Sequence, residues 1–185
     1  MKITGGTSKG RLLATAKGLD IRPTSSRVRE AVYNITGNDL TGINVLDLFA
    51  GTGIMGIEAL SRGAESAFFA DNSDRAITLI KKNLSLCGYD NRGHVLKKNL
   101  TDGLPAHRML KGSCIDFVFI DPPYRRGMIP GILNVLAGSG ILSSGCTVLC
   151  ESVKGDELPQ EAGTLKHVKS RIYGETKIDI YSREQ

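Results

Sequence analysis

Short apolar runs alternate with amphipathic stretches along most of this 185-residue chain. Runs of strand length cover residues 43–49, 65–70, 93–98, 115–121 and 146–151. Helical periodicity covers residues 54–62, 74–86, 103–110 and 128–137. Strands that alternate with helices in this way form mostly parallel sheets with helices on both faces. Because residues 165–173 and 175–182 alternate like an antiparallel hairpin, we predict a Rossmann-like α/β sheet that ends in such a hairpin.

A small β-hairpin and a helix are predicted ahead of the first buried strand. The hairpin joins residues 2–6 to residues 11–16. The helix opens at Pro23-Thr24, and its apolar residues recur at helical spacing at Val28, Ala31, Val32 and Ile35. Arg27 and Arg29 are expected to project from the other faces of this helix. We assign residues 1–38 to this extension and residues 39–185 to the main body of the same domain, since the chain is too short for two comfortable domains.

Basic side chains are concentrated in the predicted extension. Residues 1–34 contain two acids, Asp20 and Glu30, against the basic residues Lys2, Lys9, Arg11, Lys17, Arg22, Arg27 and Arg29. This surplus equals the whole net charge of +5, so the rest of the chain is neutral. Lys and Arg bind nucleic-acid phosphates without regard to sequence. Charge alone therefore fits a nucleic-acid partner and a solvated basic face equally well.

Composition argues against several classes of protein. No apolar stretch approaches the roughly 18 residues of a membrane span, and residues 1–6 lack the apolar region of a secretory signal. The three histidines form no motif, and no C-x-x-C spacing occurs among Cys87, Cys114, Cys146 and Cys150. We therefore predict core thiols, no metal site and no membrane partner, and we expect a cytoplasmic monomer.

A glycine-rich loop follows the first predicted strand. Gly51-Thr52-Gly53-Ile54-Met55-Gly56 matches G-x-G-x-x-G, and Asp71 follows the second strand. The glycines let the backbone approach a ligand, and a carboxylate at the second strand end can accept hydrogen bonds from ribose hydroxyls. Dinucleotide-binding proteins share this pattern, so the loop alone does not identify its ligand.

Asp47, at the head of the loop, favours one class of ligand. A carboxylate there suits a ligand with a cationic end, such as the ammonium of a methionine moiety, and repels a pyrophosphate. Asp71 and Asn72 then fit the ribose, and Asn99-Leu100 at the third strand end fits an adenine. The predicted cofactor site is completed by Ala50, Gly51 and Gly53. The alternative is that Asp47 and Asp71 only cap local backbone.

Asp121-Pro122-Pro123-Tyr124, after the fourth strand, is more discriminating. Two prolines fix φ at about −65° and keep the preceding residue extended, so the Asp121 side chain and the Pro122 carbonyl leave the strand as rigid acceptors. Two such acceptors can hold both hydrogens of an exocyclic base amine and aim its lone pair at a methyl group. The Tyr124 ring can stack on a flipped base, worth about 1–3 kcal/mol. We predict Asp121, Pro122 and Tyr124 as the catalytic residues; a purely structural turn is the alternative.

Two further arginines follow this segment directly. Arg125-Arg126 would lie beside the pocket mouth, where the phosphates that flank a flipped base are found. The predicted nucleic-acid-binding residues are Lys9, Arg11, Arg22, Arg27, Arg125 and Arg126. Ordinary solvent-exposed arginines remain the alternative for the last two.

These motifs together resemble one group of enzymes. The chain is similar to class I S-adenosylmethionine-dependent methyltransferases and, within them, to the bacterial RsmD-like family, which methylates N2 of one guanine in small-subunit ribosomal RNA. The resemblance covers essentially the whole chain. It rests on residues 3–6, 9–11, 13, 21–24, 27–30, 49–53, 58–64 and 121–124.

The resemblance implies S-adenosyl-L-methionine as cofactor and ribosomal RNA of the small subunit as partner. It implies that Asp47, Gly51, Gly53 and Asp71 contact the methyl donor, that residues 121–124 contact the guanine, and that the basic hairpin contacts RNA. One segment departs from the family pattern. The second strand ends in Asp71-Asn72-Ser73-Asp74 where the family has Glu-x-Asp or Asp-x-Asp, so Asp74 stays open as an alternative ribose ligand.

Three other functions fit parts of the sequence. A DNA adenine-N6 methyltransferase would share the Asp-Pro-Pro-Tyr segment, but the residues after Tyr124 leave no room for a target-reading domain. An NAD-dependent oxidoreductase would explain residues 51–56 and leave residues 121–124 without a role. A non-catalytic RNA-binding protein would not need both motifs intact.

Overall fold

A computed structural model describes residues 1–15, 26–123 and 127–184, except for the Arg27 side chain. The helices are α1 (Ser26–Thr36), α2 (Ile54–Ser61), α3 (Asp74–Cys87) and α4 (Ile129–Gly138). The strands are β1 (Asn44–Leu48), β2 (Ser66–Asp71), β3 (Gly93–Lys97), β4 (Ile115–Ile120), β5 (Leu142–Val153), β6 (Glu161–Ala162), β7 (Leu165–Tyr173) and β8 (Thr176–Arg183). Two 3₁₀ turns, Leu100–Asp102 and His107–Leu110, lie between β3 and β4.

The strands form one sheet in the order β3-β2-β1-β4-β5-β8-β7-β6. Strands β1 to β5 pair in parallel, whereas β8, β7 and β6 add antiparallel neighbours. One hydrophobic cluster covers each face of the sheet. The predicted fold class, a mostly parallel sheet with a C-terminal antiparallel hairpin, is confirmed. Because the strand order reverses between β1 and β4, the crevice at their carboxyl ends is the expected place for a ligand.

The N-terminal hairpin is shorter than the sequence pattern predicts. Lys2 and Leu12 form one isolated bridge, and the Ile3 amide donates to the Arg11 carbonyl at 3.0 Å. Ile3 and Leu13 are buried in the same cluster as α2 and α3, so the extension packs into the core of the main body. The predicted helix start at Pro23-Thr24 lies outside the described residues; α1 is described from Ser26.

The buried face of α1 differs from the predicted stripe. Val28 and Val32 are buried as expected, but Tyr33 is fully buried and Arg29 is only 2% exposed. We expected Arg29 to project away from the core, and this is wrong. The guanidinium lies 3.6 Å from the Glu58 carboxylate, and the Tyr33 hydroxyl donates to the Met55 carbonyl. A polar side chain can be buried in the core when its polar atoms have hydrogen-bonding or charged partners there. The spacing of apolar residues along the chain does not predict such a position.

Two other segments differ from the pattern because of glycine and proline. The helix expected over residues 103–110 is replaced by a single 3₁₀ turn, His107–Leu110, since Gly103 has φ 101° and Pro105 has no backbone N–H. Strand β5 begins at Leu142, four residues earlier than predicted, and continues through Gly145 at φ 75°. Its register against β4 shifts between Ile115 and Phe117, as at a β-bulge.

Candidate active site

The predicted functional residues leave the sheet at one edge. Strand β1 lies between β2 and β4. The Ala50 amide donates to the Ala70 carbonyl at 3.1 Å, and the Asp121 amide donates to the Leu48 carbonyl at 3.5 Å. The glycine loop therefore borders the end of β2 on one side and the start of the Asp-Pro-Pro segment on the other.

The glycine loop has an unusual backbone. Phe49 has φ 61°, and Gly51 and Gly53 have φ 53° and 75°. A bulky side chain with positive φ is uncommon and costs on the order of 1–3 kcal/mol, so it persists where the surroundings hold it in place. A Cβ atom on Gly53 would lie 3.2 Å from the Ile80 side chain. The loop thus presents backbone, not side chains, at the sheet edge.

Gly56, the last glycine of the motif, has a different role. A Cβ atom there would lie 2.3 Å from the Phe69 ring. This glycine lets α2 pack closely against β2, as the third glycine of such motifs does. Gly56 therefore serves helix packing, whereas Gly51 and Gly53 lie in the loop itself.

Asp71 connects the ends of β1 and β2. Its Oδ2 accepts the Gly51 amide at 2.9 Å, and its Oδ1 accepts the Ser73 amide at 2.9 Å. The side chain is half-buried, and each carboxylate oxygen retains a lone pair for another donor. Asp74 instead pairs with Lys97 at 2.7 Å and is 81% exposed. Of the two candidate ribose ligands, Asp71 is the one in contact with the glycine loop.

Asp47 is enclosed instead of facing open solvent. Its carboxylate is 2% exposed and accepts the Gly56 amide at 3.0 Å. Burial raises the pKa of Asp47 to about 8; the Gly56 hydrogen bond opposes this and the Asp71 charge adds to it. The raised pKa favours the protonated carboxyl at neutral pH, whereas the sequence analysis expected a carboxylate.

The remaining predicted cofactor residues lie along the same edge. Asn72 and Asn99 are exposed, while Ala50 and Leu100 are buried. The Asn99 side chain accepts the Thr101 amide at 3.3 Å and so caps the first 3₁₀ turn. Leu100 lines an apolar cavity of about 290 Å³ that continues to Met128 of the β4–α4 connection.

The Asp-Pro-Pro segment borders a second cavity. Asp121 is half-buried and Pro122 is buried. Tyr124, Arg125 and Arg126 lie outside the described residues. The cavity, of about 320 Å³, is lined by Pro122, Pro123, Gly127, Met128, Ile129, Pro130, Glu151, Ser152, Asp156, Glu157 and Leu158.

The sequence analysis missed the β5 side of this cavity. Glu151 and Ser152 end an apolar strand and belong to no motif. The one signal in the sequence was their position, because they lie at the carboxyl end of the fifth strand and Asp121 directly follows the fourth.

Only part of the predicted basic surface is described. Lys9 and Arg11 are exposed, and the Arg11 guanidinium donates to the Leu86 carbonyl at the end of α3. Arg29 is buried and cannot contact RNA. Arg22 and the Arg27 side chain lie outside the described residues.

A buried charge network anchors this surface to α2. Glu58 is fully buried and accepts the Thr4 amide at 3.0 Å. It also pairs with Arg62 at 3.0 Å and lies 3.6 Å from Arg29. Since a buried charge requires partners, Glu58 fixes the hairpin and α1 to the same point on the main body.

The described part of the chain lacks two features. Within residues 1–15, 26–123 and 127–184, no helix has the length and apolar character of a membrane span. The same ranges contain no group of three or more His, Cys, Asp or Glu residues that could hold a metal ion.

The whole chain is similar to known proteins in sequence and in fold. Residues 1–182 match the family described as conserved hypothetical protein 95. Ribosomal RNA small subunit methyltransferase D of Escherichia coli is 32% identical over 185 residues, which cover 100% of this chain and 90% of that protein. YlbH of Bacillus subtilis, named as an rRNA methyltransferase, is 32% identical over 183 residues, 99% of each chain. The structure of E. coli YhhF, described as a methyltransferase, superposes with a TM-score of 0.85 at 32% identity and covers 100% of this chain and 98% of that one.

Proposed function

The chain belongs to the family described as conserved hypothetical protein 95, and we propose that it methylates the exocyclic N2 amine of a guanine in small-subunit ribosomal RNA, with S-adenosyl-L-methionine as methyl donor. One observation carries the proposal. Asp121, which begins the Asp-Pro-Pro segment, leaves β4 directly beside the glycine loop that leaves β1. The names of the relatives support ribosomal RNA as the substrate class, and they favour methyl transfer over the oxidoreductase alternative.

The glycine loop and the ends of β2 and β3 would hold the donor. When bound, S-adenosyl-L-methionine supplies a methyl group that its sulfonium centre makes electrophilic. Asp71 fits the ribose because its oxygens keep acceptor capacity beside the loop, and the buried Asp47 fits the ammonium end. The other proposed contacts are Ala50, Gly51, Gly53, Asn72, Asn99 and Leu100.

The Asp-Pro-Pro-Tyr segment would act on the acceptor amine. The lone pair of a base amine is delocalised into the ring, so the nitrogen is a poor nucleophile. The Asp121 carboxylate and the Pro122 carbonyl accept its two hydrogens and favour a pyramidal nitrogen whose lone pair is free to react. N2 gains the methyl group and loses one of these hydrogens as a proton, which Asp121 is placed to accept. We propose that Tyr124 stacks on the base.

Residues 1–38 would form the RNA-binding extension of this single domain. The burial of Ile3 and Leu13 in the common core supports one domain. The exposure of Lys9 and Arg11 supports phosphate contact, and the proposed set also includes Arg22, Arg27, Arg125 and Arg126. We propose that the enzyme acts as a monomer in the cytoplasm, where ribosomal subunits assemble.

The test is methyl transfer to a defined base. The protein is incubated with tritiated S-adenosyl-L-methionine and small ribosomal subunits from a strain that lacks the corresponding enzyme. Nucleoside mass spectrometry is expected to find N2-methylguanosine at one position. Label confined to adenine would favour an adenine-N6 methyltransferase, and label in neither base would refute the proposal.

A further inference from the structure

Basic side chains are concentrated a second time, outside the N-terminal extension. Residues 35–185 are neutral as a whole, but residues 74–111 carry eight basic side chains and three acidic ones. The acids are Asp74, Asp90 and Asp102, and the basic residues are Arg75, Lys81, Lys82, Arg92, Lys97, Lys98, Arg108 and Lys111. The rest of residues 35–185 is acidic and offsets this surplus. The chain therefore has two strongly basic regions.

Helix α3 and strand β3 form the first part of the second region. Strand β3 is an edge strand of the sheet. A Cβ atom on Gly93 would lie 2.3 Å from the Leu84 side chain, so α3 packs directly against β3. Asp74, at the start of α3, pairs with Lys97 at the end of β3. Lys81 follows Asp74 by about two helical turns, and it therefore lies on the side of α3 that borders the open edge of β3.

The second part of the region lies on the opposite face of the same strand. The His94 ring of β3 lies 4.9 Å from the ring of Phe68, which belongs to the hydrophobic cluster on the face away from α3. Leu110 of the second 3₁₀ turn is buried in that cluster as well. Burial lowers the pKa of His94, and the charge of Lys111 lowers it further. The turn that carries Arg108 and Lys111 thus packs beside β3.

Few acids compensate the charges of this region. Asp74 pairs with Lys97, and Asp90 and Asp102 accept hydrogen bonds from neighbouring hydroxyls. Four exposed basic residues have no ion-pair partner among the residues that the structure describes: Lys81, Lys82, Arg108 and Lys111. We call these four residues the β3-edge surface.

The β3-edge surface continues into the N-terminal hairpin. Lys82 and Leu86 lie one turn apart on α3, and both are exposed. The Arg11 guanidinium donates to the Leu86 carbonyl. Because Lys81 borders the β3 edge and Lys82 borders the hairpin, a basic surface runs from Lys9 and Arg11 across α3 to the edge of the sheet.

Composition distinguishes between partners for this surface. Within residues 74–111, all of which the structure describes, Leu86 is the one exposed large apolar side chain. Protein interfaces usually have an apolar centre that is poor in charge. Lysine on an edge strand prevents pairing with other strands, which accounts for Lys97 but not for the charges on α3 or on the 3₁₀ turn. Exposed Lys and Arg without acidic partners suit the phosphates of a nucleic acid.

We propose that the β3-edge surface is a second contact to the RNA backbone, continuous with the hairpin. The inference rests on the proposed function and adds a contact away from the reacting base, since β1 and β2 lie between β3 and the strand that carries Asp121. Phosphate contacts position an RNA without reading its sequence. The surface therefore requires a substrate that reaches both places, such as a folded RNA.

Lys81→Glu/Lys82→Glu tests this contact. Glutamate and lysine have similar helix propensities, so the unfolding midpoint should change little. Affinity for protein-free small-subunit ribosomal RNA should fall about five- to tenfold at low salt. The slope of log K against log salt concentration should become shallower by about 1.4–1.8, as for loss of two phosphate contacts. The dissociation constant for S-adenosyl-L-methionine should be unchanged.

Arg108→Glu/Lys111→Glu tests the other side of the β3 edge. It makes the same change of net charge and should make the slope shallower by a similar amount. A wild-type slope in either charge-reversal variant would overturn the inference.

Two further variants are matched controls. Lys81→Arg/Lys82→Arg keeps both charges in place and should keep the wild-type slope. Lys169→Glu/Arg171→Glu reverses two charges on β7, near the other end of the sheet, and should keep the wild-type slope too. A slope as shallow in this β7 variant as in Lys81→Glu/Lys82→Glu would show an effect of net charge alone and would refute the inference.

The same variants separate RNA from other partners. If their affinity for protein-free RNA stays at the wild-type value while affinity for assembled small subunits falls, the surface binds a ribosomal protein and the inference is wrong. The binding measurements do not require methyl transfer. If the wild-type protein forms no N2-methylguanosine on natural subunits, the proposed function itself fails, and RNA binding still decides the role of the β3-edge surface.

Discussion

The Asn83 side chain donates to the Thr52 carbonyl across 3.0 Å, inside the glycine loop. The same amide accepts the Ala14 amide at 2.8 Å and donates to the Ala14 carbonyl at 3.2 Å. Asn83 is fully buried on α3. One side chain thus connects the N-terminal extension to the loop on which donor binding is proposed to depend.

Asn83→Ala should therefore affect two properties. Unpaired buried groups cost roughly 1–3 kcal/mol each, so the free energy of unfolding should fall by about 2–4 kcal/mol. The dissociation constant of the folded protein for S-adenosyl-L-methionine should rise about five- to tenfold, because the Thr52 carbonyl is no longer held. Denaturant unfolding and calorimetry measure the two effects.

Ser61→Ala is the matched control for Asn83→Ala. Ser61 is also buried, and its hydroxyl accepts the Ser8 amide at 2.9 Å and donates to the Gly5 carbonyl at 2.6 Å. Both of these hydroxyl bonds are formed with the extension and not with the glycine loop. Ser61→Ala should destabilise the protein and leave donor affinity unchanged; equal weakening of donor binding in both variants would contradict a specific role for Asn83.

Asp47 should make donor binding depend on pH. In the free protein its raised pKa, about 8, keeps it protonated below that pH, and a nearby ammonium favours the ionised form. Donor affinity should therefore rise between pH 6 and 8, with release of up to one proton. The folded state also holds this proton more tightly than the unfolded chain, so the contribution of Asp47 to stability, fully present below pH 4, is lost as pH rises through about 8.

Asp47→Asn keeps the acceptor for the Gly56 amide but cannot ionise. Calorimetry in two buffers of different ionisation enthalpy should show less proton release, and a shallower pH dependence, than in the wild-type protein. The α-amino group of the donor titrates at about 7.7–8.0 in both cases, so the difference between the two proteins is the measured quantity. An identical pH dependence would place the ammonium away from Asp47.

The architecture of the sheet was predictable because its signals are local. Strands β1, β2 and β4 are mostly apolar runs bounded by glycine or polar residues, and α3 is closed by Gly88 at φ 73°. Parallel strands bring their carboxyl ends together, so the glycine loop and Asp121 were expected at the same edge of the sheet. That β1 and β4 are direct neighbours is seen only in the folded sheet. The bulge at Gly145 likewise depends on pairing with β4, which a linear pattern does not contain.

The polar core was not predictable for a related reason. Arg29 is buried because Glu58 compensates its charge, yet the two are far apart in sequence. The raised pKa of Asp47 follows from its burial, and the cavity beside Pro122 is enclosed by the β4–α4 and β5–β6 connections. Each property depends on neighbours that only the folded chain supplies.

Asp121→Ala should separate catalysis from donor binding. Asp121 leaves β4, whereas the proposed donor contacts leave β1, β2 and β3. We expect kcat to fall by about 10²–10³-fold, as for loss of one group that stabilises a developing charge, with the donor dissociation constant within about twofold of the wild-type value. Single-turnover methylation and donor calorimetry measure the two quantities. Loss of donor binding instead would mean that Asp121 belongs to the cofactor site.

Reversal of charge on the hairpin tests the RNA surface. In Lys9→Glu/Arg11→Glu the loss of two phosphate contacts should weaken RNA binding at low salt. It should also reduce the slope of log K against log salt concentration by about 1.4–1.8.

Lys169→Glu/Arg171→Glu is the matched control. It makes the same change of charge, also on a lysine and an arginine two residues apart, but on β7 near the other end of the sheet. Because this control changes only net charge, RNA affinity should fall less and the slope should stay at its wild-type value. Equal slopes in all three proteins would show that the hairpin does not contact the phosphates.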